Sequence, residues 1–169
     1  IATWMASEVG PTGRVVAVDL DTKFLRNLPR NVDVIQGRVG DEPSLGADFD
    51  LVHARYVLIH NRDTLTVLAN MLAVLSRGGV LLIEEPDFRA ASALVGPAGL
   101  KESFSNVREA IRCMYAGRGL SYAIGRDLPE LVRQAGATLD AVEYDAPVTR
   151  GGAPLAQVMN ESALALRDK

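Results

Sequence analysis

Asp19 closes the apolar run "RVVAVD". A carboxylate there has two oxygens at about the right separation to accept both hydroxyls of a ribose. The competing reading is that it only caps the segment that follows, a task for which Asp21 is better placed. His60 stands just past a second run, "FDLVHARYVLI". Its imidazole, with an ordinary pKa of about 6.5, suits removal of a proton from a hydroxyl or amine; the alternative is a loop histidine ahead of the next helix. His53 is the weaker candidate base, because it lies within the run and burial would withhold it. Arg55 and Tyr56 could place an anionic or aromatic substrate, with core packing an equal reading for Tyr56. Glu84, Glu85 and Asp87 end a third run, "VLLIEEPD". One could orient substrate, and two are expected to face solvent.

Other chemistries find little support. Cys113 is the single cysteine of 169 residues, which excludes an internal disulfide and a cysteine-based zinc site. The two histidines supply no convincing metal-ligand cluster. No Ser-His-Asp arrangement or phosphate-cradling loop is found, and the glycine pairs at 78–79 and 151–152 read as turns. A net charge of −3 and a pI near 5.4 argue against nucleic acid or an anionic membrane held by bulk charge. With no secretory signal and no apolar run of about 18 residues, the expectation is a cytoplasmic protein.

The elements that must position these groups alternate between strand and helix, as in a mostly parallel sheet with helices on both faces. The apolar spacing of Ile1, Trp4, Met5 and Val9 predicts a first helix, ended by Gly10 and Pro11. "RVVAVDLD" and "VDVIQG" read as buried strands, separated by a short helix from Asp21 or Thr22 to Pro29. "FDLVHAR" is a third strand that leaves the sheet near Ala54 or Arg55. Asp63 is expected to cap a helix carrying Leu65, Leu68, Leu72 and Leu75, stopped by Gly78 and Gly79. "VLLIEE" is a fourth strand. A long helix over 100–114, a compact helix with an Asp127–Glu130 capping box, a strand over 137–148 and a helix from Pro154 follow. Residues 1–169 read as one domain, with 88–120 a lid on the substrate side, a dimer insertion, or ordinary core. A 48% apolar content supplies a real core.

The order "GRVVAVDLDTKFL … NVDVIQGRVGD … ADFDLVHARYVLIH … MLAVLSRGGVLLIEEPD" resembles the class I S-adenosylmethionine-dependent methyltransferases, in the branch acting on small molecules. The pairing of "FDLVHARYVLIH" with "LSRGGVLLIEEPD" is its most specific part; nicotinamide-binding domains share the acid but not usually this pair. The resemblance implies a Rossmann-like methyltransferase fold and S-adenosylmethionine as cofactor. It implies that Asp19 holds the ribose, that Leu20 lies against the adenosine, and that Ala54 and Arg55 lie near the methionine part. The turn at Arg38 and Val39 would receive the adenine. There the chain departs from the family, which usually places an acid at the Arg38 position: a guanidinium accepts no hydrogen bond. It could stack on the ring, or Asp41 could substitute. The acceptor would be a small molecule, and His60, from its position and ordinary pKa, is the candidate base toward it. The first strand and glycine loop of the family are not recognisable, so an incomplete sheet is expected, split into two halves. That departure and Arg38 favour the alternative of a non-catalytic or repurposed member of the fold; an NAD-dependent oxidoreductase is a third reading.

Overall fold

The structure, a computed structural model, describes residues 1–39 and 45–166. Helices and strands run α1 (Ala2–Glu8), β1 (Val15–Asp19), β2 (Val32–Gln36), β3 (Phe49–Arg55), α2 (Thr64–Ala73), β4 (Leu75–Glu84), α3 (Ala98–Gly117), α4 (Ile124–Gln134) and α5 (Pro154–Leu166). Short 3-10 turns occupy Thr22–Phe24, Leu58–His60 and Phe88–Ala90. β1 pairs with β2 and β3 with β4, in two separate two-stranded sheets, so the partial sheet expected from the sequence is found. The chain forms two compact units, residues 1–53 with 66–82, and residues 54–65 with 83–169.

In the first unit, α1 packs on β1 and β2 and buries Ala6. The last carbonyls of a helix lack helical partners. Asn31 Nδ2 supplies one, donating to Ala6 O and to Gly10 O, each at 3.0 Å. It thereby ties the end of α1 to the start of β2. Gly13 is required by a close approach, since a Cβ there would lie 2.5 Å from Val9 Cβ. β1 and β2 are parallel, with Val15 opposite Val32 and Asp19 opposite Gln36. Leu68 and Met71 form the buried stripe of α2.

Three expectations for this unit change. The helix foreseen after Asp21 is only the turn at 22–24: Asn27 takes φ 54°, outside helical space, and Phe24 is exposed. α2 stops at Ala73, and Leu75 is the first residue of β4. Extended pairing beside β3 replaces the last helical turn, with Phe49 N–H donating to Val74 O at 3.0 Å. Gly78 does take a left-handed φ of 84°, but inside β4. Finally, the strands are less covered than their composition suggests: Val34, Val80 and Leu82 are all exposed, as two-stranded sheets leave strand faces open.

The second unit is mainly helical and buries Leu58, Ile59, Tyr115, Ala123, Ile124 and Val132. Phe88, Tyr115 and Tyr122 form a ring cluster with centroids 5.5–6.4 Å apart, a favourable tilted or edge-on geometry. α4 begins after Ala123, so the expected Asp127–Glu130 capping box does not form. Residues 137–148, expected as a strand, are not one, and Tyr144 and Val148 are exposed. Alternation is a local signal; a strand also needs a partner for its backbone groups, and none of the described strands pairs there.

Candidate functional site

In a parallel sheet, ligands meet the carboxyl ends of the strands. In the first unit that edge brings together the residues following β1 and β2. Gly37 N–H donates to Asp19 O at 3.0 Å, and Gln36 Nε2 donates to Leu20 O at 3.1 Å. Asp19, Leu20 and Arg38 are all exposed there. Asp19 Oδ1 accepts from Asp21 N–H at 2.9 Å, so one carboxylate oxygen organises the loop while the group stays at the surface. Asp21 in turn caps the 22–24 turn by accepting from Lys23 N–H at 3.1 Å, as its position suggested. The Lys23 ammonium beside it holds the Asp21 carboxyl below its ordinary value. Val39 is half-buried, and its carbonyl accepts from Asn70 Nδ2 at 3.1 Å. Asp41, the substitute acceptor for adenine, lies outside the described residues. Gln36 was not singled out by sequence reasoning; its carboxamide fixes the loop that carries Leu20.

In the second unit the chemistry gathers where the chain leaves β3 and β4. Tyr56 N–H donates to Glu84 O at 2.9 Å, and Tyr56 itself takes φ 55°. For a residue with a bulky side chain this left-handed conformation costs about 1–2 kcal/mol. Glu85 stabilises the turn that follows. Its Oε1 accepts from Val57 N–H at 2.8 Å and Leu58 N–H at 2.7 Å, and its Oε2 accepts from Ile59 N–H at 3.2 Å. Burial raises the Glu85 pKa, against the pull of those three amides and of the His60 charge.

The remaining sequence candidates divide around this turn. Ala54 is buried, so what it could offer a ligand is its backbone. Arg55 is exposed and lies 5.6 Å from the centre of the Tyr56 ring. Tyr56 is half exposed, which overturns the core reading. His60 is exposed at the end of the 58–60 turn, while His53 is half-buried within β3. Of the acids at the end of β4 and just past it, Glu84 is exposed, Glu85 turns onto the backbone, and Asp87 caps the 88–90 turn and pairs with Arg89 at 3.1 Å. Burial alone would raise the Asp87 pKa, but bonds from Arg89 bring it below the ordinary value. Sequence reasoning missed the anchoring role of Glu85, because an acid after a strand does not disclose that it will chelate a distant turn.

Among the described residues no group of three or more His, Cys, Asp or Glu could hold a metal ion, and no helix is long and apolar enough to cross a membrane. A family described as "Methyltransferase domain" matches residues 1–136. Methyltransferase str3 of Strobilurus tenacellus is 34% identical over 104 residues, 60% of this chain and 38% of its own length. Methyltransferase str2 of the same fungus is 32% identical over 116 residues, 68% of this chain and 41% of its own. A demethylmenaquinone methyltransferase of Lactococcus lactis is 32% identical over 89 residues, 47% of this chain and 35% of its own. The chain spans about two fifths of the length of the curated relatives it matches.

Proposed function

This chain belongs to the methyltransferase-domain family, and from that premise we propose that it transfers a methyl group from S-adenosylmethionine to a small-molecule acceptor. The observation that carries the reading is the family match over residues 1–136, which includes the whole edge bearing Asp19. The exposed groups of that edge fit the cofactor in two respects. A surface carboxylate can accept from vicinal hydroxyls, and Leu20, 58% exposed, offers an apolar face to a purine. When bound, the cofactor supplies a methyl group activated by a sulfonium.

The residues of the chain then have separate tasks. In the first unit, Asp19 accepts from the ribose hydroxyls, Leu20 covers the adenosine, and Arg38 and Val39 flank the adenine. In the second unit, His60 is the proposed acceptor of the proton that a hydroxyl or amine must lose. Glu85 is a positioning residue: it fixes the turn that ends in His60. Transfer to an activated methyl is a single displacement, so alignment and exclusion of water carry most of the acceleration.

Arg38 favours a second reading, a member of the fold that binds a ligand or partner without transferring methyl. Calorimetric titration of the full encoded protein with S-adenosylmethionine, S-adenosylhomocysteine and NAD tests both. Binding of the first two but not NAD is expected. Binding of NAD alone would contradict the proposal, and cofactor binding without methyl transfer to any acceptor would support the second reading.

A further inference from the structure

Past β4, Arg89, Arg108, Arg112, Glu109 and Tyr122 line a small open cavity of about 100 Å³ in the second unit. None of the proposed cofactor contacts lines it, and the function proposed above leaves it without a task. Three guanidiniums at one small cavity are more positive charge than a helix surface needs. Two carboxylates offset part of it: Asp87 pairs with Arg89, and Glu109 pairs with Arg112. One positive charge remains, which matches a monoanion better than a dianion.

Each arginine keeps donors beyond those that hold the fold. Arg89 uses Nε and Nη2 toward Asp87. Arg108 uses Nη1, donating to Ala91 O at 2.7 Å. Arg112 uses Nε and Nη2 toward Glu109. A guanidinium carries five N–H donors, so every one of the three has some left. Tyr122 adds a phenol whose pKa burial raises, which keeps it protonated and able to donate.

The cavity already displays the chemistry it could recognise. Arg112 grips the Glu109 carboxylate in a two-point fork at 2.6 and 2.8 Å and holds its pKa down to about 2. The forked geometry is the one guanidinium favours for a planar carboxylate. A volume of about 100 Å³ admits a carboxylate with a short stem but not a whole nucleotide cofactor. The geometry points to a binding site for the carboxylate of a small organic acid, anchored by Arg89, Arg108 and Arg112 with a donor from Tyr122. Its assignment to the methyl acceptor rests on the methyltransferase reading; the anion site itself does not. The acid competes with Glu109 for Arg112, and the Tyr122 ring that lines the cavity offers an apolar face to the stem behind the carboxylate.

The test titrates the full encoded protein, without cofactor, with 3-phenylpropionate and with the neutral 3-phenylpropan-1-ol. The acid is expected to bind at least about tenfold more tightly than the alcohol. Arg112→Gln should weaken the acid about tenfold and Tyr122→Phe several-fold, each leaving the alcohol unchanged. Glu109→Gln should tighten the acid, because it removes the internal competitor; this gain of binding cannot come from a misfolded variant. Equal binding of acid and alcohol, indifference to the variants, or displacement of the acid by inorganic phosphate at lower concentration would overturn the proposal. S-adenosylmethionine is titrated separately, so its failure to bind would strike the methyl-transfer reading while the ratio of acid to alcohol still decides the pocket.

Discussion

Asp19, the last residue of β1, and Glu85, the first residue past β4, are both acids at a strand end and do opposite things. Asp19 stays exposed at the edge of the first unit, with one oxygen holding a loop amide. Glu85 turns inward in the second unit and holds three consecutive amides of the 57–59 backbone. The difference is one of burial. An exposed carboxylate remains available to a ligand, and its loss costs the fold little. A half-buried carboxylate that satisfies several donors is part of the frame, and removing it leaves those donors unpaired. The first acid should therefore matter to binding and the second to stability.

Glu85→Ala is the largest expected break. Stranding three amides of a turn that buries Leu58 and Ile59 should cost about 3 kcal/mol, read as a lower urea midpoint. Gly125→Ala should come next, at about 2 kcal/mol, since its Cβ would lie 2.5 Å from Glu85 O and 2.9 Å from the Pro86 carbonyl carbon. Both atoms are backbone, and neither can move aside cheaply. In the first unit, Asn31→Ala should cost about 1–2 kcal/mol by removing the donor shared by the Ala6 and Gly10 carbonyls. An Asn31 variant that costs more than Glu85→Ala would reverse the contrast between the units.

The pH dependence of stability sharpens the same contrast. Burial raises the Glu85 pKa above its ordinary 4.5, so the folded protein holds this proton more tightly than the unfolded chain does. The stability this contributes is full below that ordinary value and is lost as pH rises through the raised one. Urea midpoints measured across that window should fall with rising pH at this site, and Glu85→Gln should flatten the slope. An unchanged slope in the variant would show that another group is responsible.

Much of the frame was legible in the sequence because its signals are local. The Gly10–Pro11 stop, the β-branched run ending at Asp19, and the exit of β3 at Arg55 all stand where spacing and turn residues put them. What failed depended on partners distant in the chain. Leu75 fits the helical spacing of α2, yet the residues around it pair beside β3. Residues 137–148 alternate like a strand without joining one. For the site, position at the end of β1 was readable at Asp19 and Leu20, and His60 stands beyond β3 as its place in the sequence suggested. The inward turn of Glu85 and the approach of Arg89 to Arg108 and Arg112 of α3 were not, because both arise from packing between separate segments.

Asp19→Ala tests the central claim most directly, with S-adenosylmethionine affinity and urea midpoint measured on the same full encoded protein. The prediction is an affinity at least about tenfold weaker with a midpoint unchanged, since the proposed ribose contacts would be lost from an exposed site. Unchanged affinity, or affinity lost only together with stability, would contradict it.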